Sequence, residues 1–183
     1  MGPAGGNTVG RLGVFGGSFD PPHAAHQAMA QAALAQLHLD RLLVVPTGQA
    51  YHKARSLSPA AHRLAMCEAV WGGTPRVQID PRETQRERPS YTVETLTELR
   101  AQWPGAQIFL LMGADQWSAF TTWKDWRRIL DMSTVVLTPP RGLSLRRAVE
   151  RLRQLMISKP MLSFQQRDVQ SSRHLMRQRL QLI

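Results

Sequence analysis

The sequence predicts an α/β protein in which a doubly wound, mostly parallel sheet carries helices on both faces. Short apolar runs suited to buried strands alternate along the chain with longer helix-forming segments. This alternation is typical of right-handed β-α-β units. In such sheets ligands bind beyond the carboxyl ends of the strands, so we expect the functional residues in the loops that follow the strands.

The predicted elements follow from the pattern of apolar residues and of turn residues. The expected strands are residues 12–15, 42–46, 77–79, 108–112 and 134–137, with a weak strand at 161–164. The expected helices are residues 24–37, a helix opened by Ser58 and Pro59, and residues 90–101, 126–130, 145–156 and 171–180. Ser58 is the predicted N-cap and Pro59 the predicted first helical residue.

Length and composition predict one globular domain over residues 1–183, with residues 1–10 as a loose lead-in. The chain is 43% hydrophobic and shows neither an internal repeat nor a dividing linker. Its one cysteine, Cys67, excludes an internal disulfide, suits a reducing cytoplasm and is expected in the core. No apolar stretch approaches the length of a membrane span, so no membrane partner is expected.

The net charge of +10 is unevenly distributed. Residues 141–183 hold ten of the 23 lysines and arginines but two of the 13 acidic residues. A basic segment of this kind indicates either a nucleic-acid surface or the wall of a triphosphate site. Phe164 is the only aromatic residue in the segment, which disfavours a stacking platform for single-stranded nucleic acid.

Residues 14–26, VFGGSFDPPHAAH, predict a strand, a glycine turn and the start of a helix. Gly16 and Gly17 allow a sharp turn and a close approach by another group. His23 and His26 are three residues apart and can face the same side of the helix start. Such a turn is an anion site, because free amides and the positive helix end point the same way. The alternative is a pair of solvated or capping histidines.

The two common phosphate-binding glycine motifs are absent, which leaves the histidines as the candidate phosphate ligands. Residues 17–26, GSFDPPHAAH, resemble the G-x-F-D-P-x-H-x-G-H signature of the HxGH nucleotidyltransferases. Ala25 stands where that family usually has glycine, at the expected approach of the adenine. The resemblance implies that His23 and His26 are catalytic donors to the triphosphate. The ATP contacts that it implies in the same turn are Gly16, Gly17, Ser18 and Phe19.

Three further segments resemble motifs of the bacterial nicotinate-nucleotide adenylyltransferases. They are YHK at 51–53 with HRLAM at 62–66, RPSYTVETL at 88–96, and GAD at 113–115 with TWKDW at 122–126. The resemblance implies that Thr92 binds the nicotinate carboxylate and that Trp123 stacks on the pyridine ring. It also implies ATP contacts by Lys53, Gly113 and Asp115, with Asp115 on the ribose.

Each of these roles has a structural alternative. Lys53 alone would be an ordinary solvated lysine, and Asp115 alone would be a helix N-cap. Ser90 and Thr92 would simply cap a helix, while the tryptophans would be core residues. Trp126 is expected in the core, and Arg63 is expected to brace the loop before it.

The last motif matches less well. Residues 171–177, SSRHLMR, resemble the family's I-S-S-T-x-I-R, in which Ser172 and Arg177 are implied to hold the ATP phosphates. Arg173 and His174 replace small hydroxyl residues. The resemblance spans residues 12–180, and related chains usually continue for another short helix beyond this point.

The resemblance implies transfer of the adenylyl group of ATP to nicotinate mononucleotide, which gives nicotinate adenine dinucleotide and pyrophosphate in NAD biosynthesis. Mg²⁺ is expected to arrive with ATP, because no His, Cys and Asp cluster suggests a protein metal site. Two alternatives stay open. One is the same chemistry on nicotinamide mononucleotide or phosphopantetheine, and the other is a nucleotide- or nucleic-acid-binding protein without turnover. A homo-oligomer is also left open.

Overall fold

The computed structural model describes residues 9–48, 57–117, 119–138 and 180–183. The strands in this part of the chain are β1 Arg11–Gly17, β2 Arg41–Pro46, β3 Val77–Ile79, β4 Gln107–Gly113, β5 Thr134–Thr138 and β6 Leu180–Leu182. The helices are α1 Ala24–Gln36, α2 Ala60–Trp71, α3 Thr92–Gln102, α4 Ala114–Trp117 and α5 Trp126–Met132. None of them is long and apolar enough to cross a membrane.

The strands form one sheet in the order β3-β2-β1-β4-β5-β6, and every neighbouring pair is parallel. The chain builds outward from β1 on one side and then returns to add β4, β5 and β6 on the other. The predicted doubly wound, Rossmann-like fold is therefore confirmed. β1 and β4 meet where the strand order reverses, which is where such sheets bind ligands.

Side chains that alternate along each strand divide between two cores, one on each face of the sheet. Leu43 and Val45 of β2 pack on the face covered by α3 and α5. Leu42 and Val44 pack on the other face, with α1 and α2. Helices cover both faces of the sheet and bury the side chains on each. This explains why the central strands are apolar throughout. Cys67 is fully buried in the second core, as predicted.

The predicted N-cap Ser58 and the alternative that Ser90 caps a helix are both wrong. α2 begins at Ala60, and Pro59 precedes the helix with extended backbone, so Ser58 is not the N-cap. The Ser58 amide instead donates to Asp20 Oδ2 at 2.9 Å. The residue before α3 is Tyr91, while the Ser90 hydroxyl donates to the Glu83 carbonyl at 3.2 Å. The Ser90 hydroxyl is thus occupied by a loop carbonyl, while the contact of Ser58 uses its backbone amide and joins it to the β1–α1 turn.

The predicted last helix is wrong at its end. Leu180 begins β6, which pairs with β5 in the register Val135 to Leu180. Pairing with the open edge of β5 outweighs the helix propensity of this leucine, because strand preference depends on the neighbours available. The predicted elements at 145–156 and 161–164, and residues 171–179, lie outside the described residues.

Candidate active site

A cavity of about 380 Å³ lies at the carboxyl end of the sheet, where β1 and β4 meet. The loops that follow β1, β2, β3 and β4 all contribute to it, as the topology predicts. Five of the predicted site residues line this cavity: Gly16, Gly17, Ser18, Thr92 and Trp123. Other polar residues in its wall are Thr47, Glu83, Ser90, Thr95, Gln116, Thr122 and Lys124.

Gly16 and Gly17 end β1 rather than forming a turn after it, and Phe19 supports them from beneath. A Cβ atom on Gly17 would lie 2.9 Å from Cζ of Phe19, so a side chain at position 17 would collide with the ring. Phe19 itself has a φ of 47°, which costs an aromatic residue about 1–2 kcal/mol. Its ring is 1% exposed and packs edge-on against Phe15 and Trp71, and this burial offsets the strain. The side chain of Phe19 does not line the cavity, and its contact with ATP stays a prediction.

His23 and His26 meet at the start of α1. Their rings stack with centroids 3.8 Å apart, and the His23 backbone amide donates to Nδ1 of His26 at 3.1 Å. Burial, and then the charge of His23, lower the pKa of His26 from 6.5 to about 4. His26 is therefore neutral at pH 7. Because Nδ1 accepts a hydrogen bond, Nε2 carries the proton and is the available donor.

Arg63 joins the loops that follow β1 and β2. The side chain is 2% exposed, and its guanidinium donates to the carbonyls of Ser58, Ser18 and Thr47 at 2.9, 3.0 and 2.7 Å. Ser18 and Thr47 line the cavity. The prediction that Arg63 braces a loop is confirmed, and the brace reaches a second loop as well.

The far end of the cavity contains Thr92 and Trp123. Thr92 is the first residue of α3, where free backbone amides and the positive helix end favour an anion. Trp123 is half-buried, with its ring centroid 5.6 Å from that of Phe120. Trp126 is 9% exposed and belongs to the core, as predicted. A polar helix start thus faces the same space as an indole ring.

Glu83 is a buried carboxylate in the cavity wall that the sequence analysis did not single out. Its Oε1 accepts the Thr95 hydroxyl at 2.6 Å, and Arg86 donates to the same hydroxyl at 3.1 Å. Burial raises the pKa of Glu83, although the Thr95 hydrogen bond and the Arg86 charge oppose the shift. A Cβ atom on Gly48 would overlap the Glu83 carbonyl. Thr95 on the apolar face of α3 was the available signal, because a buried hydroxyl needs a partner.

The remaining predicted residues are only partly described. Gly113 is the last residue of β4, the strand that pairs with β1. Asp115 is the second residue of α4, so the alternative that it is the N-cap of a helix is wrong. The side chain of Asp115 is not among those that the structure describes. Lys53, Ser172 and Arg177 lie outside the described residues. Within the described ranges, no three His, Cys, Asp or Glu side chains converge to hold a metal ion.

The fold and the cavity define a doubly wound α/β protein with a candidate ligand site at the switch point of its sheet. The cytidylyltransferase-like family model matches residues 14–174, which span β1 to β5 and every segment that lines the cavity. The chain belongs to the cytidylyltransferase-like family. The family resemblance inferred from the motifs is therefore confirmed.

Two curated relatives carry the same name. A protein of Albidiferax ferrireducens named "Probable nicotinate-nucleotide adenylyltransferase" is 56% identical over 125 residues, which are 68% of this chain and 63% of the relative. A protein of Methylibium petroleiphilum with the same name is 40% identical over 134 residues, or 73% of this chain and 63% of the relative. The chain thus spans less than two thirds of the length of the curated relatives it matches.

A solved structure supports the fold. The nicotinic acid mononucleotide adenylyltransferase of Plasmodium falciparum, in complex with NaAD, aligns with a TM-score of 0.64 at 16% identity. The alignment covers 78% of this chain and 71% of that one. The same enzyme in complex with APC aligns with a TM-score of 0.63. At this identity the likeness shows the fold alone.

Proposed function

We propose that the protein is a nicotinate-nucleotide adenylyltransferase. It would join ATP to nicotinate mononucleotide and release nicotinate adenine dinucleotide and pyrophosphate, a step of NAD biosynthesis that we assign to the cytoplasm. One observation carries the proposal. A single cavity at the switch point is lined both by the glycines of β1 and by Thr92 and Trp123. ATP would bind at the glycines, and the pyridine ring of the mononucleotide would bind beside it at Thr92 and Trp123. The names of the relatives support the same activity.

The reaction requires positioning rather than proton transfer. The phosphate of the mononucleotide is already ionised, so it can attack the α-phosphorus of ATP in line without a general base. Catalysis then consists of holding the two phosphates together and stabilising the charge that develops on the transferring group. Mg²⁺ would arrive as the counterion of ATP and neutralise charge on the departing pyrophosphate.

His26 is suited to stabilise that charge. It is neutral at pH 7, and its Nε2–H is fixed as a donor by the hydrogen bond at Nδ1. A donor held in place needs no reorganisation during the reaction. His23 is exposed, stacks on His26 and would supply a second donor from the same side.

The other proposed contacts follow the resemblance. Backbone at Gly16, Gly17, Ser18 and Phe19 would approach the nucleotide, with Gly113 and Asp115 toward ATP and its ribose. Lys53, Ser172 and Arg177 would hold the β and γ phosphates. At the other end Thr92 would bind the carboxylate of the nicotinate ring, and Trp123 would stack on the ring itself.

Pyrophosphate release from MgATP tests the proposal, with nicotinate mononucleotide, nicotinamide mononucleotide and phosphopantetheine as parallel acceptors. We expect release with the first acceptor and much less with the other two. Release with another acceptor alone would keep the chemistry and refute the assigned acceptor. If a folded chain that binds ATP released pyrophosphate with none of them, a binding protein without turnover would replace the enzyme. Salt-dependent binding to DNA would then distinguish a nucleic-acid partner.

A further inference from the structure

We propose that Lys124 is a specificity-determining residue whose ammonium group binds the carboxylate of the nicotinate ring and favours the acid over the amide mononucleotide. This inference rests on the proposed function. It concerns a side chain that the motif comparison left without a role, since only Thr92 and Trp123 were assigned to the pyridine end.

The position of Lys124 is the first argument. It directly follows Trp123 and lines the cavity together with Trp123 and Thr92. Of the described residues in the cavity wall, Lys124 is the only cation and Glu83 the only acid. A nicotinate mononucleotide ring carries a positive nitrogen and a negative carboxylate. A wall with one basic and one acidic side chain offers a partner for each.

The present contacts of Lys124 leave it able to change partner. Its Nζ lies 3.1 Å from Glu94 Oε1 and 4.4 Å from the centre of the Tyr91 ring. Arg88 binds the other oxygen of Glu94 at 2.7 Å, so Glu94 keeps a cation when Lys124 leaves. The Lys124 side chain is 47% exposed, and an ion pair this exposed is weak.

The chemistry of the two ring substituents explains why a lysine would discriminate between them. The hydroxyl of Thr92 and the free amides of α3 are neutral donors, and both a carboxylate and a carboxamide oxygen accept from such donors. An ammonium group adds a full positive charge and has no acceptor for the carboxamide NH₂. Of the described side chains that line the cavity, Lys124 is therefore the one that adds a full positive charge toward the acid.

Steady-state kinetics of two variants test the proposal, with each mononucleotide varied at saturating MgATP. Lys124→Met should lower kcat/KM for nicotinate mononucleotide roughly 10- to 100-fold, the usual range for losing a charged hydrogen bond. The value for nicotinamide mononucleotide should stay within about twofold, because the amide gains little from the charge. Lys124→Arg should retain most of the preference for the acid. Arg128→Met, an exposed arginine in α5, is the matched control and should change neither value.

Two outcomes would overturn the role of Lys124. An equal loss for both acceptors would show that the side chain only shapes the loop, and an unchanged value for the acid would show that it makes no contact. Calorimetric titration of each mononucleotide into the unmodified chain and into Lys124→Met measures binding alone. It therefore tests the role of Lys124 independently of the proposed enzymatic activity. If the unmodified chain binds the acid more tightly and the variant loses that difference, Lys124 has its role even where no pyrophosphate is released. Failure of the unmodified chain to prefer the acid refutes it.

Discussion

Replacing Arg63 with methionine tests whether one buried side chain holds the cavity together. Methionine fills similar space but cannot donate to the carbonyls of Ser18, Thr47 and Ser58, which Arg63 binds at 2.7–3.0 Å. Each charged hydrogen bond contributes about 1.5–3 kcal/mol, and such contributions do not add fully. Leaving each of these part-buried carbonyls without its donor costs about 1–3 kcal/mol, so we expect the free energy of unfolding to fall by about 3–5 kcal/mol. For a chain of this size it lowers Tm by roughly 6–20 °C.

The assay is urea unfolding followed by circular dichroism, with ATP affinity measured on the folded variant. ATP affinity should fall too, because Ser18 and Thr47 line the cavity. Arg128→Met removes an exposed arginine and should change the free energy of unfolding by no more than about 0.5 kcal/mol. If Arg63→Met loses less than about 1 kcal/mol, the loops are held by other contacts and the brace is refuted.

Three further predictions concern His26, at the start of α1, and Thr92, in the cavity wall. His26→Ala should lower kcat on the order of 10²–10³-fold, as loss of a preorganised donor does, and a near-normal kcat would exclude His26 from catalysis. The low pKa of His26 means that the unfolded chain takes up a proton below pH 6.5 that the folded chain takes up only near pH 4. Stability should therefore fall as the pH drops from 6.5 to 4, and His26→Gln should reduce that slope in urea titrations. Thr92→Val should lower kcat/KM about tenfold for the acid and less for the amide, because a hydrogen bond to a charged group is the stronger of the two, and an unchanged value for the acid would remove Thr92 from that contact.

The fold could be predicted because each strand and helix is indicated by the pattern of residues within its own segment of the sequence. β2 and β4 are buried on both faces, so they are continuous apolar runs in the sequence. The starts of α2 and α3 were harder to predict, because the Ser58 amide and the Ser90 hydroxyl donate to Asp20 and to the Glu83 carbonyl. Those contacts join residues 38 and 7 positions apart, and no local rule for capping includes them.

The same distinction applies to the site. The glycine turn and the two histidines lie within one short segment, so the motif itself indicates an anion site. The pairs Glu83 with Thr95 and Lys124 with Glu94 are 12 and 30 residues apart. Glu83 lies in the loop after β3 and Lys124 in the loop after β4, and each meets its partner on α3 only when these loops pack against that helix. The sequence therefore indicated that Thr95 needs a polar partner but did not identify Glu83 as that partner, and it gave Lys124 no role.

The conformation of the β1–α1 turn and the charge state of His26 have a common cause. The ring centroids of Phe19 and Phe15 lie 5.1 and 5.9 Å from that of His26. Phe19 reaches this position through its positive φ, and the absence of a side chain on Gly17 leaves room for its ring. Burial by these neighbours is the larger cause of the lowered pKa of His26. The residues that shape the turn thus also keep the imidazole neutral, so that it is a donor in a fixed orientation rather than a solvated cation.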